Sequence, residues 1–312
     1  MKKTYHLCLS AGDEVMFRDL EDYNRGFNCL ALALYKTDST GLVESFMSTH
    51  NHQLSQTSDP VGLMYHFRLS YSMYFNRKYH RQGKLGEDSH FTMEVVGYNH
   101  TLAAASYVLR NALHHGIAPL PYAYPHCSAN AIFMSEMGKA PCEKLLDKRH
   151  YRQFVGKTAE YPDRYKMNEN GVFLRESVLD IPQVESLFVT PRTFNWYMTR
   201  KSSEEWEAEQ QKDKNGRPSI NVTCIEDGVK TDTTDKLLFY ESGKANYRKP
   251  SDIDICTEID KNILPQYGKR SVYMLSRQEK QKIAEHLYRN LHIPEDQIKR
   301  CLALSHNSLL ES

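Results

Sequence analysis

Phe46-Met47-Ser48-Thr49-His50-Asn51-His52-Gln53-Leu54 places two histidines one residue apart in a run that alternates like a β-strand. Side chains in a strand repeat every second residue, so His50 and His52 point to one face and are able to share a divalent cation through imidazole nitrogens. Further along, Tyr107-Val108-Leu109-Arg110-Asn111-Ala112-Leu113-His114-His115-Gly116 has helical spacing. Residues four apart on a helix lie one above the other, which puts the Tyr107 phenol and the Asn111 amide on one face. A phenol beside a metal points to phosphoryl transfer.

Working outward, Tyr5-His6-Leu7-Cys8-Leu9 alternates as a first strand, and residues 19–36 carry apolar side chains at helical spacing through Tyr23, Phe27, Leu30, Leu32 and Leu34. Residues 42–54 read as one metal-bearing strand, 60–80 as a helix, and 90–97 as a further strand through Phe91, Met93 and Val95. The Tyr107 helix spans 99–115, ended by Gly116 and stopped by Pro119. Such a series predicts an α+β fold, a small antiparallel sheet with helices on one face in the ferredoxin-like or RRM-like arrangement.

The order of these pieces resembles the HUH single-tyrosine transposases, in particular the REP-associated tyrosine transposases. That family's strand reads Met-Pro-Asn-His-hydrophobic-His and its helix Tyr-hydrophobic-x-x-Asn-Pro-x-x-x-Gly. Two further segments match in order: Tyr74-Phe75-Asn76-Arg77-Lys78-Tyr79-His80-Arg81-Gln82-Gly83 and the first-strand Tyr5-His6-Leu7. The resemblance covers about residues 4–116, and the chain departs from it at Asn51, where the family has an apolar residue, and at Ala112, where it has proline. It implies an HUH fold over residues 1–135. It also implies that His50, His52 and Asn111 hold Mg²⁺ or Mn²⁺, that Tyr107 is the nucleophile, and that the partner is single-stranded or hairpin DNA joined through a 5′-phosphotyrosine. The contiguous His50-Asn51-His52 is not the HNH nuclease signature, whose residues are dispersed over a ββα unit.

Charge decides where DNA would bind. With 40 Lys and Arg against 39 Asp and Glu, the chain has no general cationic coat, so nucleic-acid contact requires local concentration. Between Val61 and Leu85 there is no acid, and Arg68, Arg77, Lys78, Arg81 and Lys84 alternate with Tyr65, Tyr71, Tyr74, Phe75 and Tyr79. Cations neutralise phosphates while aromatic faces stack on unpaired bases. Asn76 and, on the Tyr107 helix, Arg110 complete this candidate surface. His114 and His115 read as helix-end caps, and His6 and His66 as ordinary polar residues.

Residues 136–250 read as a family-specific extension or connector without assignable chemistry, including a charged helix and loop over 201–218. Residues 251–312 are predicted to be helical. Ser276-Arg277-Gln278-Glu279 is a capping box, Ile283, Leu287 and Leu291 form an apolar face, and Pro294 opens a second helix carrying Ile298 and Leu302. The pair resembles a helix-turn-helix, with Gln297, Lys299 and Arg300 offered to DNA. Seven scattered cysteines without a Cys-x-x-Cys pair suit a reducing cytoplasm, and no apolar run suits a signal peptide or a bilayer span. Two other functions compete with strand transfer: a domesticated DNA-binding or regulatory protein that does not cut, and a metal-dependent hydrolase of small substrates, which would leave the Tyr74–Gly83 segment unexplained.

Overall fold

The computed structural model describes residues 1–12, 14–86, 90–139, 144–199 and 249–304. Its centre is a four-stranded antiparallel sheet built from β1 (Lys3–Ser10), β2 (Thr40–Phe46), β3 (His50–Thr57) and β4 (Phe91–Val95), in the order β2-β3-β1-β4. With α1 (Leu20–Lys36) after β1 and α2 (Pro60–Tyr79) after β3, the connectivity is the β-α-β-β-α-β of ferredoxin-like folds. The fold is therefore α+β, as the patterning predicts. One element differs. Residues 42–54 are not a single strand but a hairpin, because the backbone reverses at Met47–Thr49, where the Met47 amide donates to the His50 carbonyl at 2.7 Å.

Local chemistry sets the helix ends. Asp19 caps α1 by accepting from the Asp22 amide, with Glu21 and Asp22 in the first turn and Lys36 in the last, matching the helix dipole. Asp59 caps α2 through the Gly62 amide, and Pro60 occupies its first turn. Both helices lie against the sheet face that carries Phe46 and Gln53: Phe46 meets the rings of Phe27 on α1 and Phe67 on α2, and Gln53 Nε2 donates to the Met64 sulfur. Gly26 permits this approach, since a Cβ there would sit 2.6 Å from the Phe17 ring.

The opposite face is covered by α3 (Tyr98–His114), so helices occupy both sides of the sheet rather than one. Its Leu102-Ala103-Ala104-Ala105-Ser106 run is buried, and the small side chains let the helix settle closely on the strands. Short helices α4 (Tyr151–Val155), α5 (Arg175–Val178), α6 (Ile181–Phe188) and α7 (Pro191–Thr199) extend the same hydrophobic core to Phe194 and Met198. The expected charged helix over 201–218 lies outside the described residues.

The C-terminal helices α8 (Asp252–Glu258), α9 (Arg277–Leu291) and α10 (Glu295–Cys301) form a second core with Ile255, Ile259, Ile283, Leu287 and Ile298. The capping box at Ser276 and Glu279 is present. Val15 joins this second core, and the buried Arg18 guanidinium donates to the Cys301 carbonyl at 2.8 Å and to Asp260. The loop between β1 and α1 is thereby clasped by the C-terminal helices.

Candidate active site

The site lies between β3 and α3. His50 and His52 project from the same face of β3, their ring centroids 5.0 Å apart and nearly perpendicular, and both are fully buried. From α3, the Tyr107 ring stands 5.3 Å from that of His52, and the His115 ring 5.6 Å from that of His50. Asn111, between Tyr107 and His115 on the same helical face, lies against His50 and favours its protonated form. The structure thus brings His50, His52, Tyr107 and Asn111 together.

Burial sets their charge. Desolvation pushes the His50 imidazole down to about 4, with Asn111 opposing, and drives His52 well below the usual histidine range, helped by His50, His6, His115 and His114. Both rings are neutral near pH 7, the state in which a ring nitrogen offers a lone pair to a metal. Each is also oriented through Nδ1: His50 by Thr49 Oγ1 at 3.1 Å, His52 by His6 Nε2 at 2.9 Å. His52 Nε2 is buried without a hydrogen-bond partner among the described residues. Two neutral imidazoles and an amide oxygen make a donor set that fits a divalent cation. No group of three or more His, Cys, Asp or Glu side chains is placed to hold a metal among the described residues, so Asn111 would have to complete the set.

Two neighbours of the site are illegible from local sequence. His6 contacts His52 and has its ring 5.8 Å from that of Tyr107, because β1 pairs with β3 so that Cys8 opposes His52. Ser48, two residues before His50, donates to the buried Asp252 at 2.7 Å. Period-two alternation in His6-Leu7-Cys8 hints at the first, but only the inter-strand register places it on the histidine face.

The residues expected to meet DNA divide sharply. Arg77 and Lys84 are exposed, and Arg68 and Arg110 are half-buried. Burial, helped by Arg68 and Lys84, lowers the His90 imidazole. Lys78 is bound to Asp19, Glu21 and Asp22 at 2.8, 3.0 and 2.9 Å, and Tyr74 donates to Asp22 at 2.9 Å. Arg81 pairs with Glu14 at 3.0 Å, and Asn76 donates to the Gly83 carbonyl at 2.6 Å. Of the interleaved aromatics, Tyr71, Phe75 and Tyr79 are core, whereas Tyr65 is exposed.

Gln297 and Arg300, expected on a DNA-facing surface, are not offered to solvent. Both are buried, with Arg300 Nε and a terminal nitrogen bound to the two Asp252 oxygens at 2.7 and 2.8 Å and Gln297 donating to the same carboxylate at 3.1 Å. A carboxylate taken from water requires such partners, and this demand turns the expected recognition helix inward. Lys299 stays half-buried, 3.8 Å from Glu295.

No family model and no curated protein matches the chain. A solved structure of a REP-associated tyrosine transposase bound to a REP hairpin aligns with a TM-score of 0.38 at 9% identity, covering 47% of this chain and 88% of that one. No helix among the described residues is long and apolar enough to cross a membrane.

Proposed function

We propose that the protein is a metal-dependent DNA strand transferase that cuts and rejoins single-stranded hairpin DNA through Tyr107. The observation that carries this reading is the meeting, in one nest between β3 and α3, of two neutral imidazoles, a carboxamide and a phenol. His50, His52 and Asn111 would hold Mg²⁺ or Mn²⁺, which would supply positive charge to the scissile phosphate. These three donors are uncharged, so the counter-charge for such an ion would come from the phosphodiester itself.

In the proposed step, the Tyr107 oxygen gives its proton to water admitted with the strand and bonds to phosphorus while the bond from phosphorus to the 3′ oxygen breaks. The 3′ oxygen leaves as a hydroxyl after taking a proton, and the 5′ end remains on the tyrosine. The covalent link retains the phosphodiester's energy, so a second 3′ hydroxyl is able to attack it and reseal the strand. Exposed Arg77 and Lys84, with Arg68, would hold the flanking phosphates.

A second reading, a DNA-binding protein that does not cut, draws on a specific feature: His50, His52 and Asn111 are fully buried and Tyr107 is only 7% exposed. Cleavage would require the nest to open to a strand. The two readings part in one assay. With end-labelled single-stranded hairpins from the flanks of its own gene and Mn²⁺, strand transfer predicts shortened DNA and a protein-DNA band on a denaturing gel, whereas binding alone leaves the DNA intact.

A further inference from the structure

We infer that His6 is a positioning residue of the candidate metal site, fixing through its hydrogen bond which nitrogen of His52 is presented to a cation. This rests on the proposed role of His52 as a ligand, and it extends the site to β1. His6 Nε2 and His52 Nδ1 are 2.9 Å apart, both side chains are fully buried, and the rings are stacked at 28°. The contact follows from the β-sheet register: Cys8 opposes His52, and His6, two residues earlier on β1, shares its face.

Proton counting gives the contact its consequence. Two neutral imidazoles carry two N–H protons, and one of them must occupy the bridge between His6 Nε2 and His52 Nδ1. If His6 donates, the second proton sits on His52 Nε2 and blocks its lone pair. If His52 donates, its Nε2 is bare and the second proton sits on His6 Nδ1. A cation at His52 Nε2 therefore selects the second arrangement. One proton leaves His52 Nε2, the bridging proton passes from His6 to His52, and His6 Nδ1 takes one up, so the pair still holds two.

His6 is suited to accept either arrangement. Its Nδ1 is buried with no hydrogen-bond partner among the described residues, so no second hydrogen bond dictates its tautomer. Packing holds the ring instead, with Phe91 at 5.3 Å and Tyr107 at 5.8 Å, both edge-on. Outer partners of metal-bound histidines commonly affect metal affinity by about 10–100-fold.

The test uses the full chain, labelled with ¹⁵N-histidine and titrated with Zn²⁺, a diamagnetic ion compatible with imidazole donors. The wild type is expected to bind Zn²⁺ through His52 Nε2 while long-range ¹H–¹⁵N spectra place a proton on His52 Nδ1. His6→Met, which removes the acceptor and keeps much of the volume, should weaken Zn²⁺ binding at His52 by about 10-fold or more. His6→Gln, which keeps an acceptor, should stay within about threefold of the wild type. Zn²⁺ binding by His6→Met at wild-type affinity, or bound wild-type His52 whose Nδ1 proton shows no through-hydrogen-bond coupling to His6 Nε2, overturns the role of His6 while leaving His52 as a ligand. A wild type in which Zn²⁺ leaves the His52 signals unmoved overturns the ligand reading and this inference together. The coupling between His52 Nδ1 and His6 Nε2 is read in the wild type alone, so the inference remains testable if His6→Met does not fold.

Discussion

At the residue scale, Asn51 sits between the two candidate ligands on β3 and faces the other way. Its Cα partners are Leu9 and Phe46, it is fully buried, and neither amide atom has a hydrogen-bond partner among the described residues. An unsatisfied buried polar group costs about 1–3 kcal/mol, and a β-branched side chain suits a strand. Asn51→Val is therefore expected to stabilise the protein by about 1–3 kcal/mol. In urea unfolding the midpoint should rise with the slope unchanged, and a lowered midpoint would mean that the amide is satisfied in the native protein. His126 has a different consequence. It stacks on Tyr23 with centroids 3.8 Å apart, and burial, helped by Arg175, pushes its imidazole down to about 3 from the ordinary 6.5. The unfolded chain thus binds the proton more tightly, so the stabilising contribution is complete above about pH 6.5 and declines as the pH falls towards 3. His126→Phe keeps a ring against Tyr23 and should reduce the slope of stability against pH, between pH 6 and 4, by about 1.4 kcal/mol per unit. Denaturant unfolding over that range measures it, and an unchanged slope would contradict the assignment.

At the element scale, α2 is a packing helix with a restricted cationic edge. Lys78 serves the buried Asp22, which also accepts from Tyr79 and the Arg18 amide, each at 2.8 Å, whereas Arg77 is exposed. Lys78→Ala should cost about 1–3 kcal/mol of stability, because it leaves a buried carboxylate short of its cation. Arg77→Ala should change stability by less than about 0.5 kcal/mol. The order reverses for hairpin affinity: Arg77→Ala should flatten the dependence of log affinity on log salt by ~0.7, and Lys78→Ala should leave it unchanged. Equal effects of both on the slope would restore Lys78 to the DNA surface. The distinction is not legible in the sequence, where both residues stand in one acid-free run. Lys78 meets its acids only because α1 and α2 pack side by side. By contrast, His50 with His52 and Tyr107 with Asn111 were legible as pairs, since strand and helix periods are local properties of the chain. That the two pairs meet depends on α3 crossing the second face of the sheet, and His6 enters only through strand register.

At the scale of the whole molecule, two cores meet next to the candidate site. The main core runs from Leu7 to Met198, and the C-terminal helices gather their own apolar side chains together with Val15. The seam contains the Arg300–Asp252 pair, with Ser48 bound to the same carboxylate two residues before His50. The capping box and apolar spacing of the last helices were legible, but which side they bury was not. That is dictated by Asp252, distant in sequence and in need of Arg300. The C-terminal helices therefore brace the β2–β3 turn, and the proposed chemistry falls to the nest between β3 and α3. The most direct test of that account incubates the full chain with labelled hairpin DNA and Mn²⁺, digests any covalent product, and identifies the peptide that retains nucleotide by mass spectrometry. Nucleotide is expected on Tyr107, with no adduct from Tyr107→Phe, which lacks the attacking oxygen while retaining hairpin binding. Nucleotide on another residue, or hairpin cleavage by the Phe variant, would contradict it.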